Sequence, residues 1–132
     1  MILVDANVLI DIVVAETVWT SWSQARIAAA SVDGAVINFV IYAEIASCFS
    51  TQNDLKSFLN DFSISVLPIS EDAAYLASTA HQSYRRSGGQ GNVTLPDFFI
   101  GAHAVASGLK LVTRDPLRFR MYFPALELVT PG

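Results

Sequence analysis

The sequence has few of the residues that small proteins use for cross-links and for soft metal sites. Its 132 residues include one cysteine, Cys48, so an intramolecular disulfide is excluded. With only two histidines beside that cysteine, it offers no ligand set at the spacing of a structural zinc site. No apolar run approaches the roughly 18 residues that a membrane-spanning helix needs. Asp5 and Asp11 interrupt the apolar first segment and no Lys or Arg precedes it, so we expect no signal peptide, no membrane association and a cytoplasmic protein.

The chain also carries little charge. Charged residues make up 15% of it, and 12 acids against 8 Lys and Arg leave a net charge of −4. This balance is unlike that of a strongly basic nucleic-acid-binding protein. However, four of the acids are candidates for a single site: Asp5, Glu44, Asp97 and Asp115. Since the remainder of the chain is then neutral, the net charge does not exclude a nucleic-acid partner.

Most of the arginines lie close in sequence to two of these acids. We expect a basic rim around the acidic centre, formed by Arg85, Arg86, Arg114, Arg118 and Arg120, of which the first four are the candidates for substrate binding. Such a rim suits the phosphate backbone of a substrate. The alternative is that these side chains are ordinary solvent-exposed arginines.

The length and the apolar content indicate one domain that spans residues 1–132. A domain of roughly 150 residues buries about two-thirds of the surface that its unfolded chain exposes, so no cross-link is needed for a core. Apolar residues make up 52% of the chain. Such a high fraction indicates a large buried core together with apolar surface that is reserved for a partner.

Short apolar strands alternate with helical segments along the chain. We predict strands at 2–4, 35–37, 64–67, 111–113 and 126–129, and helices after Asp5 and over 17–30, 39–49, 53–62, 71–86 and 96–107. Strands that are apolar on both faces are typical of a parallel sheet covered by helices. The predicted fold is therefore α/β, with three α/β/α layers and a short, mostly parallel central sheet.

Three of the four candidate acids stand at the ends of these elements. Asp5 follows the first strand, Asp115 follows the fourth, and Asp97 lies in the first turn of the helix that Pro96 begins. In open parallel sheets, binding sites form beyond the carboxyl ends of the strands, where the strand order reverses. We therefore expect the three carboxylates to meet there.

Glu44 is predicted to lie within a helix. Its neighbours on the helical wheel are Val40, Ile41, Ser47 and Cys48, so the sequence places its carboxylate in a largely apolar stripe. A buried carboxylate without a partner is costly or becomes protonated. We expect a metal ion or a distant arginine to compensate it.

A cluster of four carboxylates is chemically suited to Mg²⁺. Like charges raise one another's pKa values unless a cation intervenes, and Mg²⁺ prefers hard oxygen ligands while keeping several waters. Such ions activate water for attack on phosphorus and stabilise the leaving oxygen. The residues therefore favour phosphodiester hydrolysis without a nucleophilic side chain.

Four segments, in order along the chain, resemble the motifs of PIN domains. They are VDANVLID at positions 4–11, YAEI at 42–45, LPDFFIGAHA at 95–104 and LVTRD at 111–115. Two positions depart from the family pattern, because Ile41 stands where a hydroxyl residue is frequent and Gly101 where Ala is frequent. Neither departure removes an acid.

The short length most resembles the VapC toxins of toxin–antitoxin systems. That resemblance implies a Mg²⁺- or Mn²⁺-dependent endoribonuclease, usually a homodimer, that is inhibited by a VapB-like antitoxin. It implies catalytic and metal-binding roles for Asp5, Glu44, Asp97 and Asp115. It also implies supporting polar roles for Asn7 and Thr113.

Several alternatives remain open. A PIN-like module could bind RNA or protein without cutting it, although such modules lose one or more of the four acids. A phosphoacceptor receiver domain matches poorly, because Arg114 stands where a lysine is needed. A DNA-directed flap nuclease shares the chemistry but needs further helical elements. Asp11 is expected at a helix surface rather than in the cluster, and both His81 and His103 are expected to be structural.

Overall fold

Strands and helices alternate throughout the computed structural model, which describes residues 1–15, 17–89, 91 and 93–131. The strands are β1 (Ile2–Val4), β2 (Ala35–Ile37), β3 (Ile64–Val66), β4 (Lys110–Val112) and β5 (Leu128–Val129); the helices are α1 (Ala6–Val14), α2 (Thr20–Ala30), α3 (Phe39–Ala46), α4 (Gln52–Asp61), α5 (Glu71–Arg86), α6 (Leu95–Ala106) and α7 (Leu117–Arg120). None of the described helices has the length and apolar character needed to cross a bilayer. The predicted α/β class is confirmed.

The sheet has the strand order β3-β2-β1-β4-β5, and all of its neighbouring strands are parallel. The chain first builds β1, β2 and β3 towards one edge, and later adds β4 and β5 on the other side of β1. The strand order therefore reverses between β1 and β4. Ligands bind at such a reversal, beyond the carboxyl ends of the strands.

Both faces of the sheet are covered. Successive side chains of a strand point to opposite faces. In the three central strands, adjacent residues are nevertheless all buried: Leu3 and Val4, Val36 and Ile37, and Leu111 and Val112. Helices must therefore pack on both faces, as the predicted three-layer arrangement requires.

Several helix ends differ from those expected. The second helix begins at Thr20 instead of residue 17, because the Thr17 hydroxyl contacts Asp11 and the chain turns there. The third ends at Ala46 instead of residue 49, where tighter three-residue turns replace the helical hydrogen bonds. The fourth begins at Gln52, because the Thr51 side chain accepts the backbone N–H of Asp54.

The strand ends also differ, and one helix was not expected. β3 ends at Val66, β4 runs from Lys110 to Val112, and β5 begins at Leu128. Thr113 lies just beyond β4: its backbone N–H still donates to the carbonyl of Val129 at 3.1 Å, and its hydroxyl donates to Asp5. Helix α7 has only four residues, which is too short for apolar periodicity to reveal it.

Gly101 lies in α6 against the ring of Phe123. A Cβ atom at Gly101 would lie 2.5 Å from both Cδ2 and Cε2 of that ring. Phe123 is only 4% exposed, so its ring has little room to move. The glycine that departs from the family pattern is therefore required by the close packing of this aromatic residue.

We expect Gly101→Ala to destabilise the protein by about 1–3 kcal/mol, because overpacking outweighs the higher helix propensity of alanine. Urea unfolding of the wild type and of the variant measures the difference. In a Phe123→Leu background the same substitution should cost less, because the ring is gone. A stabilising Gly101→Ala in the wild type would contradict this packing argument.

Candidate functional site

Asp5 lies at the point where β1 passes into α1. It is the N-cap of α1, and its Oδ1 accepts the backbone N–H of Ala6 at 2.8 Å. Its Oδ2 accepts the hydroxyl of Thr113, which follows β4, at 2.7 Å. Asp5 is 1% exposed, and this burial raises the pKa of its carboxyl, while Arg118 and the two hydrogen bonds oppose the rise. The neighbouring strands β1 and β4 thus deliver one fixed, buried carboxylate.

Asp97 lies in the first turn of α6 and is 2% exposed. Its Oδ2 accepts both the backbone N–H and the hydroxyl of Thr94, at 2.9 and 3.0 Å. This arrangement closes a capping box, and the helix dipole favours a negative charge at that end. The side chain is therefore held so that Oδ1 remains for another partner.

Arg118, on α7, joins three of the predicted site residues. Its Nη2 lies 2.7 Å from Asp5 Oδ2, its Nη1 lies 2.5 Å from Asp97 Oδ1, and its Nε lies 3.2 Å from Asp115 Oδ2. Asp115 is the exposed member, with a side chain that is 52% accessible. The sequence pointed to Arg118 as a phosphate-binding residue, but the structure places its guanidinium among the carboxylates.

Glu44, on α3, is the fourth acid, and it is not buried as its apolar neighbours had indicated. The residue is exposed at the edge of the acidic site, and no ion pair or hydrogen bond to it is seen within the described residues. Partial desolvation, followed by repulsion from Asp5 and Asp97, raises the pKa of Glu44 to about 7, with Arg118 acting in the opposite direction. The carboxylates are therefore close enough to interact strongly.

A buried pair that sequence analysis did not find holds α3 against α6. Asn38 caps α3 by accepting the N–H of Ile41 with its Oδ1, and its amide nitrogen lies 3.0 Å from Nδ1 of His103. Because the amide donates, this ring nitrogen accepts, and burial lowers the pKa of His103. The neutral ring ties the helix of Glu44 to the helix of Asp97. Asparagine is a preferred N-cap residue, so the cap has a local sequence signal, but the partner 65 residues away has none.

Asn7 and Thr113 support the loop after β4. The Thr113 hydroxyl donates to Asp5 and accepts the backbone N–H of Asp115 at 3.0 Å. Asn7 contacts the same hydroxyl at 3.4 Å through Nδ2, and its Oδ1 accepts the N–H of Arg114 at 3.3 Å. These contacts fix the path of the chain between Asp5 and Asp115.

Asp11 is neither at the helix surface nor in the acidic cluster. It is 1% exposed and forms a bidentate pair with Arg114, whose Nε lies 2.5 Å from Oδ2 and whose Nη2 lies 3.0 Å from Oδ1. The Ser23 hydroxyl donates to the same Oδ2 at 2.8 Å. Arg114 is thereby engaged in joining α1 and α2 to the loop after β4, and it does not line an open rim.

Arg85 and Arg86 end α5 and are both exposed. Cations at this end of a helix are favoured by its dipole. Neither arginine forms an ion pair with another described residue. Of the four arginines predicted to bind substrate, these two are therefore the ones whose charges are available.

The donor set fits a hard divalent cation, although no group of three or more acidic, histidine or cysteine side chains among the described residues is already arranged to hold one. The candidate metal ligands are all carboxylate oxygens, which Mg²⁺ and Mn²⁺ prefer. The mutual repulsion that acts on Glu44 is what an additional cation would relieve. The guanidinium of Arg118 occupies the space between two of the acids.

The raised pKa of Glu44 makes stability depend on pH. A carboxyl whose pKa rises from 4.5 in the unfolded chain to about 7 costs the metal-free protein stability as the pH increases through that window. We therefore expect Glu44→Gln to raise the melting temperature at pH 8 and to change it little at pH 4. Thermal melts in EDTA measure this.

Glu71→Gln, at the exposed start of α5, is the control and should not stabilise at either pH, because the helix dipole favours its charge. A gain for Glu44→Gln that is equal at both pH values would contradict the raised pKa of Glu44.

Comparison with known proteins agrees with this geometry. A family model described as "PIN domain" matches residues 2–122. Similar solved structures are VapBC2 from Rickettsia felis bound to a promoter DNA fragment (17% identity, 98% of each chain covered, TM-score 0.75), VapBC-1 from nontypeable Haemophilus influenzae (20%, 98% of each, 0.72) and DNA-bound VapBC from Salmonella typhimurium (20%, 98% of each, 0.72). No curated protein matches the chain. At these identities the structures show a shared fold, and the family match confirms what the four motifs predicted: the chain belongs to the PIN domain family.

Proposed function

We propose that this protein is a metal-dependent endoribonuclease and the toxin of a toxin–antitoxin pair. The observation that carries the proposal is the convergence of Asp5, Asp97 and Asp115 on one point at the carboxyl end of the sheet, with Glu44 close enough for its charge to be repelled. PIN domains are generally nucleases. The solved structures of similar fold come from toxin–antitoxin complexes.

Asp5, Asp97, Glu44 and Asp115 would hold Mg²⁺ or Mn²⁺. When bound, the ion supplies Lewis acidity towards water and towards the phosphodiester. The chain's own contribution is positioning. Thr113 and the N–H of Ala6 orient Asp5, and Thr94 orients Asp97. Because both carboxylates are nearly inaccessible to water, their charges act at low dielectric and attract a cation strongly.

RNA is the substrate that we propose. Arg85 and Arg86 are exposed and available to phosphates, and a phosphate backbone would be attracted to them in a salt-dependent way. The second candidate is a PIN-like module that binds RNA or protein without cleavage. The presence of all four acids favours the nuclease, since a binding module has no need to keep mutually repelling carboxylates.

A VapB-like antitoxin and a second copy of the chain are the proposed protein partners. Large apolar side chains remain exposed around the start of α2, with Val14 48%, Val18 91% and Trp19 39% accessible. The guanidinium carbon of Arg114 lies 5.8 Å from the ring centroid of Trp19, within cation–π distance. An exposed aromatic surface of this kind suits an amphipathic antitoxin segment. We propose a cytoplasmic location for the complex.

We expect Asp5→Asn and Asp97→Asn each to reduce RNA cleavage by about 100-fold or more, since even indirect metal partners contribute 10–100-fold. Cleavage should require Mg²⁺ or Mn²⁺, stop with EDTA, and leave 3′-hydroxyl and 5′-phosphate ends. The assay is gel analysis of end-labelled RNA, with circular dichroism to check folding.

Asp72→Asn, at the exposed first turn of α5, is the matched control and should cleave normally. A 2′,3′-cyclic phosphate product would contradict the proposed chemistry, because it indicates attack by the 2′-hydroxyl of the RNA. RNA binding without cleavage by the metal-loaded wild type would favour the binding module.

A further inference from the structure

Arg118 occupies the carboxylate positions that face the acidic site. Asp5 and Asp97 also accept hydrogen bonds from the groups that position them. Asp5 Oδ1 accepts from Ala6, and Asp5 Oδ2 accepts from Thr113 as well as from Arg118. Each carboxylate oxygen offers about two lone-pair sites. Both sites of Asp5 Oδ2 are therefore filled, one of them by the guanidinium.

Asp97 is held by its own helix cap through one oxygen and by Arg118 through the other. Its Oδ2 accepts two hydrogen bonds from Thr94, and its Oδ1 accepts from Nη1 of Arg118 at 2.5 Å. Since Thr94 and Thr113 belong to the framework that positions the acids, they cannot leave without moving the acids themselves. The contact that can be given up is the one to Arg118, which reaches in from a separate four-residue helix.

A guanidinium and a divalent cation exclude each other at this point. Both are positive, and their repulsion increases as the separation falls and as water is removed. Asp5 and Asp97 are 1% and 2% exposed, so little water is present to screen the two charges. A cation held by Asp5 and Asp97 would therefore have to displace the guanidinium that now lies between them.

The structure also allows Arg118 to leave. A cavity of about 530 Å³ adjoins the site and is lined in part by Asp115, Leu117, Arg118, Met121 and Tyr122. The Nε of Arg118 is buried and forms no hydrogen bond within the described residues, because its 3.2 Å contact with Asp115 lacks hydrogen-bond geometry. Because this buried donor is left without a hydrogen bond, the guanidinium is held less strongly among the carboxylates.

We propose that Arg118 is a resident counter-ion of the acidic site, which holds the carboxylates together in the metal-free protein and must be displaced when a divalent cation binds. Arg118 therefore sets the metal affinity by competition. This inference rests on the proposed metal site. It means that a residue of the protein itself limits how much divalent cation the site binds.

Isothermal titration of the metal-free protein with Mn²⁺ tests the competition. We expect Arg118→Met to lower the Kd for Mn²⁺ by about 10-fold or more, because the competing charge is removed. Arg118→Lys keeps the charge but loses the planar fork, and should lower the Kd by about threefold. Arg120→Met removes a charge from the exposed end of the same helix and should stay within about twofold of the wild type.

Thermal melts provide a second readout that does not depend on activity. Without metal, Arg118→Met should melt below the wild type, because the repelling carboxylates lose their counter-ion. At saturating Mn²⁺ that gap should close or reverse. If Arg118→Met fails to fold without metal, Arg118→Lys carries the titration alone.

Two outcomes would overturn the inference, and they are distinguishable. If the wild type binds Mn²⁺ and Arg118→Met binds it equally well or more weakly, the proposed metal site is retained but Arg118 does not compete with the metal. If neither the wild type nor either Arg118 variant binds Mn²⁺, the proposed metal site itself is wrong, and so is the proposed competition.

Discussion

Repulsion among carboxylates held close together is the constraint on which the rest of this structure depends. Asp5 and Asp97 are nearly buried, and both lie within ion-pair distance of one guanidinium. Glu44 has no such contact among the described residues, and partial desolvation, followed by repulsion from Asp5 and Asp97, raises its pKa to about 7. Buried charges must be paired or neutralised. In the metal-free protein Arg118 neutralises part of this charge, and we propose that a divalent cation neutralises it fully.

The fold brings these acids together by its topology and not by sequence proximity. The reversal of strand order at β1 and β4 places the residues after two neighbouring strands side by side, and Thr113 links them directly. A helix start adds Asp97, and the Asn38–His103 contact holds the helix that carries Glu44 against it. Asp5 is thus oriented by Thr113 from the neighbouring strand end, and Asp97 by Thr94 at the cap of its own helix. Positioning of this kind is what metal-dependent chemistry requires of the protein.

The features that could be predicted from sequence were those with local causes. Asp5 follows an apolar strand and Asp97 follows a proline at a helix start, so their meeting beyond the sheet followed from the general behaviour of parallel sheets. The caps of α3 and α5, at Asn38 and Ser70, are likewise local.

The side chains that were misplaced depend on distant partners. The buried Asp11 is paired with Arg114, which lies 103 residues away in the sequence. The periodicity of one helix could not show that Glu44 faces an open edge. The position of Arg118 depends on a helix too short to predict.

The most direct measurement is a crystal structure of the protein soaked in Mn²⁺, with anomalous scattering recorded to locate the ion. We expect an anomalous peak in coordination contact with Asp5 and Asp97, with the guanidinium of Arg118 displaced from between them. A structure at saturating Mn²⁺ in which Arg118 still bridges the two carboxylates and no peak lies beside them would contradict it.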